Sequence, residues 1–210
     1  MAENYNNIYA GILTGGLSSR IGGGIKSLKK FNDKTIFDRI FKNLKSQVPK
    51  IIVNSNDSEG LFLNYKVAII NDRIKGFLGP LAGIHALLEW INKNEKYIDW
   101  LITVPGDTPF IPNNLVKKLY NKAISNNFKI IHAKSNGKIH PVISIWHTSV
   151  YESLNEDLSL GVRKILDWSS KHSTSYVEFE NPNYDPFFNI NYNQDLIKAK
   201  EIENKNFLIC

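Results

Sequence analysis

The sequence predicts an α/β fold: a single domain over residues 1–210, three-layer α/β/α, with a mostly parallel sheet between helices. Three observations carry this. Short runs rich in Ile and Val recur along the chain, bounded by Gly, Pro, Asn or Asp, as buried strands are. Amphipathic helical patterns lie between them, and that alternation implies parallel crossover units with helices on both sheet faces. No internal repeat or long linker divides the 210 residues, and a chain of this size can bury a core without disulfides.

The strand-like runs are 8–13, 51–54, 67–70, 100–104, 129–133, 142–146 and 175–179. Between the first two, residues 35–45 place Ile36, Ile40, Phe41 and Leu44 on one stripe, the spacing of a core-facing helix. Residues 80–92 open with Pro80, favoured in a first helical turn, and repeat Leu81, Ile84, Leu88 and Ile91. Helical patterns at 113–125, 162–170 and 194–203 follow the same logic.

Composition excludes several classes. Hydrophobic residues at 42% and aromatics at 11% exclude a disordered chain. The one cysteine, Cys210, is the last residue, so a monomer has neither a disulfide framework nor a cysteine zinc site. The net charge of +6, from 26 basic against 20 acidic residues, suits an anionic partner or a solvated basic surface. No apolar stretch approaches the roughly 18 residues of a membrane span. The first residues carry Glu3 and no basic residue before the apolar run, unlike a secretory signal. The chain therefore reads as cytoplasmic, with no membrane partner.

The most informative segment leaves the first strand directly: Leu13-Thr14-Gly15-Gly16-Leu17-Ser18-Ser19-Arg20-Ile21-Gly22-Gly23-Gly24-Ile25-Lys26. Ligands of α/β sheets bind beyond the carboxyl ends of strands. Glycines let backbone N–H groups converge on phosphate oxygens, and Arg20 and Lys26 add a planar fork and a mobile point charge. A Walker A loop needs Gly immediately before Lys, where Ile25 stands, and the Rossmann GxGxxG spacing is absent. Asp107, in Pro105-Gly106-Asp107-Thr108-Pro109, sits at the tip of a buried strand, where a carboxylate can hold Mg2+ alongside substrate phosphates. Asn189 and Asn191, in Asp185-Pro186-Phe187-Phe188-Asn189-Ile190-Asn191, are two apart, so an extended segment points both to one face.

These segments resemble the nucleotide-sugar-transferase-like nucleotidyltransferases, whose first loop reads roughly LAGGxSxRMGxxK. The span Asp72-Arg73-Ile74-Lys75-Gly76-Phe77-Leu78-Gly79-Pro80-Leu81-Ala82-Gly83 is similar to the D-x6-GPLAG of the molybdenum cofactor guanylyltransferases within that family. The Asp107 loop is similar to their CDTPFIP, and the Asn189 segment to their FxN[IV]N. The resemblance implies a Rossmann-like nucleotidyltransferase fold and transfer of GMP from GTP to molybdopterin, with Mg2+ as cofactor. It implies nucleotide contacts at Leu13, Thr14, Gly15, Gly16, Lys26, Asn54, Asp72, Gly79 and Asp107, and catalytic roles for Lys26, Arg20 and Asp107, with Asp107 on the metal. His140, Arg163, Asn189 and Asn191 fall to the substrate side. Proteins that deliver molybdopterin or accept the product are implied partners.

The chain departs from the family pattern in four places: Ile25 replaces Asp, Thr14 replaces Ala, Ile21 replaces Met, and Gly106 replaces a common Cys. A sibling activity stays open, with CTP on molybdopterin or a nucleotide on a sugar phosphate, as does a weakly catalytic nucleotide-binding regulator. Other chemistry finds no support. The five histidines show no HExxH spacing, and no Gly-x-Ser-x-Gly elbow occurs. Aromatics are not interleaved with basic residues, which argues against nucleic acid as partner.

Overall fold

The computed structural model describes residues 5–15, 25–56, 59–74 and 79–207. Seven strands form one sheet: β1 (Ile8–Leu13), β4 (Lys50–Asn54), β5 (Ala68–Ile70), β6 (Trp100–Pro105), β7 (Ile130–Ser135), β8 (Lys138–His147) and β9 (Thr174–Glu178). Their order across the sheet is β5-β4-β1-β6-β8-β7-β9. Every neighbouring pair is parallel except the two that involve β8, so β8 alone runs against the rest. A separate hairpin pairs β2 (Lys30–Phe31) with β3 (Lys34–Thr35).

Helices cover both faces, as buried parallel strands require. One face carries α1 (Ile36–Lys45), α3 (Leu115–Ser125) and α6 (Asn193–Phe207); their side chains share a core with Ile8, Ala10 and Ile12 of β1. The other carries α2 (Pro80–Asn94), α4 (Tyr151–Ser159) and α5 (Ile165–Ser169), packed with Tyr9 and Leu13. That alternation along β1 is the period of two that strand geometry imposes. At the start of α1, Thr35 and Asp38 cap each other reciprocally, Thr35 N–H donating to Asp38 Oδ2 at 2.8 Å and Asp38 N–H to Thr35 Oγ1 at 2.9 Å. Arg39 grips Glu203 through Nε and Nη2 at 2.8 and 2.7 Å and ties α1 to α6.

The sheet differs from the alternation of strands and helices at one point. β7 and β8 form an antiparallel hairpin through Asn136 (φ 49°) and Gly137 (φ 75°). A two-residue turn with positive φ at both positions fits the twist of paired strands, and Asn-Gly supplies it at least cost. The strand expected at 142–146 extends to Lys138–His147, with a break in register opposite His132 and Ala133. Pro141 has no N–H to give a ladder and is tolerated at such a break. The helix expected at 162–170 is shorter, Ile165–Ser169, and α4 precedes it without a sequence expectation.

Candidate functional site

The site lies where the parallel strands end. β1 ends at Leu13, next to the end of β4 at Asn54 and of β6 at Pro105. Thr14 donates to the Asn54 carbonyl through both its N–H (3.0 Å) and its hydroxyl (2.9 Å), pinning the exit of β1 to that of β4. On the other side, the Gly106 N–H donates to the Leu13 carbonyl at 2.8 Å and brings the Asp107 loop beside the first one. Gly15 is exposed, with open space where a Cβ would project. Gly16 and Arg20, both expected at the site, lie outside the described residues.

Lys26 begins a short 3-10 turn, Lys26–Leu28, and its ammonium sits among three side-chain oxygens. Asp107 Oδ2 is 2.5 Å away, Asn191 Oδ1 2.6 Å and Asn189 Oδ1 3.3 Å. The Asn189 segment is held there by its backbone, since Ile190 N–H donates to the Asp107 carbonyl at 2.9 Å. Ile25, where the family pattern has Asp, packs against the core and leaves Lys26 to these partners. An all-oxygen set of one carboxylate and two amides, already holding a cation, is the donor chemistry that suits Mg2+. Among the described residues no group of three or more His, Cys, Asp or Glu could hold a metal, so an ion here would complete its shell with water or substrate oxygens.

At the far strand, Asp72 follows β5. Its Oδ1 accepts from Asn54 Nδ2 at 2.9 Å and its Oδ2 from Asn56 Nδ2 at 2.8 Å, while its own N–H donates to Asn56 Oδ1 at 2.8 Å. The second Asn54 Nδ2 hydrogen goes to the Ile70 carbonyl at 3.0 Å. Asn54 is buried, and α2 comes so close that a Cβ on Gly83 would lie 2.4 Å from Asn54 Oδ1. Gly79 caps α2 at φ 71° with no side-chain cap, so the helix starts with its positive end toward this face.

His140 and Arg163 hydrogen-bond to partners other than the Lys26 cluster. His140 Nε2 lies 2.8 Å from Ser135 Oγ, which donates to Asp185 Oδ1 at 2.7 Å. Burial pushes the His140 imidazole below its ordinary pKa, partly opposed by the Asp185 carboxylate. Asp185 also accepts from the Phe187 N–H at 2.9 Å, so this chain of contacts anchors the loop that leads to Asn189. Arg163 Nη1 donates to the carbonyls of Leu158 (2.9 Å) and Val162 (2.7 Å) and closes the end of α4. Elsewhere, a cleft of about 440 Å³ lined by Tyr5, Gln47, Val48 and Lys117 opens at the opposite end of the sheet, without converging charges.

Sequence reasoning passed over Asn56, Ser135 and Asp185 as site residues. Asn56 carried a usable signal: it stands two residues beyond Asn54 at a strand exit, the same spacing that singled out Asn189 and Asn191.

The pattern that defines the MobA-like NTP transferase domain matches residues 10–174. The chain belongs to this family. Among relatives, a molybdenum cofactor guanylyltransferase of Nitrobacter hamburgensis is 34% identical over 192 residues, 91% of this chain and 92% of that protein. One of Yersinia pestis is 32% identical over 185 residues, 88% and 91% of the two chains. Among solved structures, molybdopterin-guanine dinucleotide biosynthesis protein A of Archaeoglobus fulgidus superposes with a TM-score of 0.76 at 25% identity, covering 94% of this chain and 99% of that one. A 4-diphosphocytidyl-2C-methyl-D-erythritol synthase of Anaerococcus prevotii shares the fold at 13% identity, with a TM-score of 0.70 over 95% and 97%. In this MobA-like chain the described segments of the family motifs therefore gather at the carboxyl ends of β5, β4, β1 and β6.

Proposed function

We propose that this MobA-like protein transfers GMP from GTP to molybdopterin, forming the guanine dinucleotide cofactor and releasing pyrophosphate. The observation that carries the reading is the Lys26 ammonium held by Asp107, Asn189 and Asn191 at the strand ends. The names of its relatives and the coverage of nearly the whole chain support the same reaction.

The terminal phosphate of molybdopterin attacks the α-phosphorus of GTP in line; that P–O bond forms as the bond to the β-phosphate breaks. A phosphate monoester is mostly dianionic near neutral pH, so the acceptor needs no protein base to take a proton. The protein's work is then positioning and charge compensation. Lys26 moves from the carboxylate toward the phosphates, a shift its flexible stem permits. Asn189 and Asn191 orient the polar groups around it, and the Thr14–Asn54 and Gly106–Leu13 contacts keep the two loops in register. Asp107, with the amide oxygens beside it, would hold Mg2+, whose charge offsets that developing on pyrophosphate. We place the reaction in the cytoplasm, in keeping with GTP as donor, and count proteins that supply molybdopterin or take the product as partners.

Calorimetry of GTP, CTP and ATP with Mg2+, on wild type and Asp107→Ala, tests the reading, followed by pyrophosphate release with molybdopterin. GTP preference that weakens in the variant is the expected result. CTP preference moves the activity to the cytidylyl sibling, and no nucleotide binding removes the enzyme reading.

A further inference from the structure

Along the carboxyl edge of the sheet, adjacent strands present Asp107, Thr14, Asn54 and Asp72 in that order, from β6 through β1 and β4 to β5. Strands about 4.8 Å apart put Asp72 roughly 14 Å from the strand of Asp107. That is the span of an extended nucleotide. With phosphates at Lys26 and Asp107, the base falls beside Asp72.

What the base meets there is set by two amides. The Asn54 Nδ2 group spends both hydrogens, on the Ile70 carbonyl and on Asp72 Oδ1. Asn56 Oδ1 accepts the Asp72 N–H, which fixes its Nδ2 toward Asp72 Oδ2 and settles the orientation of the amide. The carboxylate is thus held from both sides, and each oxygen keeps capacity for a further donor. Two adjacent acceptors pair with two adjacent donors. Guanine offers them, N1–H beside N2–H2, whereas cytosine sets N4–H2 beside a bare N3 and adenine N6–H2 beside a bare N1. Either of the latter would turn a lone pair on the second oxygen.

We infer that Asn56 is the positioning residue for base choice: by closing the ring with Asp72 it holds Oδ2 to receive the N2 amino group of guanine, while Asn54 holds Oδ1 for N1–H. Asn56 is exposed at the loop and supports no core packing, so its removal frees Asp72 Oδ2 without opening a cavity. The inference rests on GTP as the donor nucleotide, as proposed above.

The test is calorimetry of GTP and inosine triphosphate with Mg2+ on the full chain, wild type against Asn56→Ala. Inosine keeps N1–H and lacks the N2 amino group, so it reports the second acceptor alone. Wild type is expected to prefer GTP about tenfold or more, in line with the loss of one hydrogen bond to a charged partner. In Asn56→Ala the preference falls to about two- to threefold while inosine triphosphate binding holds. Lys26→Met, at the phosphate end, weakens both ligands equally and keeps the ratio. An equal loss of both ligands in Asn56→Ala, or a wild type that binds them alike, overturns the inference and leaves the guanylyltransferase reading standing. A wild type that binds no GTP overturns both.

Discussion

The ammonium of Lys26 lies 2.5 Å from Oδ2 of Asp107, joining the turn after the glycine-rich segment to the loop after β6 across 81 positions of chain. Both side chains are about one-fifth exposed, 19% each, so the pair is reachable from solvent rather than sealed in the core. A contact of this kind, cation against carboxylate at the convergence of strand ends, is available for exchange when phosphates arrive. Lys26→Ala and Asp107→Ala should each lower turnover by ~10²–10³ by removing charge stabilisation where it develops. Pyrophosphate release with molybdopterin under saturating GTP and Mg2+ measures it, and near-normal rates in both variants would remove these residues from the chemistry.

The two asparagines are not equivalent. Asn191 Oδ1 lies 2.6 Å from the Lys26 ammonium and Asn189 Oδ1 3.3 Å. Hydrogen bonds to a charged group strengthen as they shorten into the 2.7–2.9 Å range and beyond it weaken. Asn191→Ala should therefore cost about tenfold more in kcat/KM than Asn189→Ala. The reverse ranking would mean that Asn189 contacts substrate directly, with the lysine contact incidental.

His132 is buried on β7, with Nδ1 2.7 Å from Ser144 Oγ and Nε2 2.9 Å from Ser169 Oγ. Ser144 donates to the Pro141 carbonyl at 2.9 Å, so it accepts from Nδ1–H, and Ser169, whose other acceptor is the more distant Leu166 carbonyl at 3.4 Å, donates to Nε2. Both ring nitrogens are thus satisfied with the imidazole neutral. Burial lowers its pKa from 6.5 to about 4. The unfolded chain therefore binds a proton that the fold refuses, and the stabilisation is complete above 6.5 and lost as pH falls toward 4. The loss amounts to about 3 kcal/mol. Urea unfolding at pH 7.5, 5.5 and 4 should show that slope in wild type and a flatter one in His132→Asn; parallel slopes would assign the acid lability to other groups.

Much of this architecture was legible because its signals are local. The apolar run 8–13 followed by glycines, the Pro80 start of a helix and the Asp107 turn each announce themselves within a dozen residues. Contacts that span the chain were not. Nothing in the spacing brings Asn189 and Asn191 to Lys26, 163 and 165 positions away; the Ile190–Asp107 backbone contact does so only once the fold exists. The β7–β8 hairpin went unread although Asn136-Gly137 signals it, because Pro141 and the register break hide the early part of β8. In α4, Leu154 and Leu158 are the buried residues, too narrow a stripe for periodicity to reveal. Arg163 offers both readings that the sequence allowed: Nη1 donates to the carbonyls of Leu158 and Val162, a contact that spacing alone does not show.

Gly83 links the start of α2 to the face that carries Asn54 and Asp72, and its substitution reports on both. A Cβ there would stand 2.4 Å from Asn54 Oδ1 and 3.0 Å from Leu13 Cδ2, closer than side chains tolerate. Asn54 is buried, and its amide is committed to Ile70 and Asp72, so it has no unstrained retreat. Either α2 lifts from β4 or Asn54 turns and releases the Asp72 carboxylate. Overpacking of this order costs about 1–3 kcal/mol. Gly83→Ala should therefore lower the thermal midpoint by several degrees, of the order of ~2–4 °C per kcal/mol for a chain of this size. If Asn54 is the part that moves, GTP binding weakens about tenfold in the folded variant, the cost of one lost charge-assisted hydrogen bond. A variant with a lowered midpoint and unchanged GTP affinity would show that α2 yields instead and that Asn54 keeps its place. An unchanged midpoint together with unchanged affinity would mean that the close approach of α2 to β4 at Gly83 does not constrain the site.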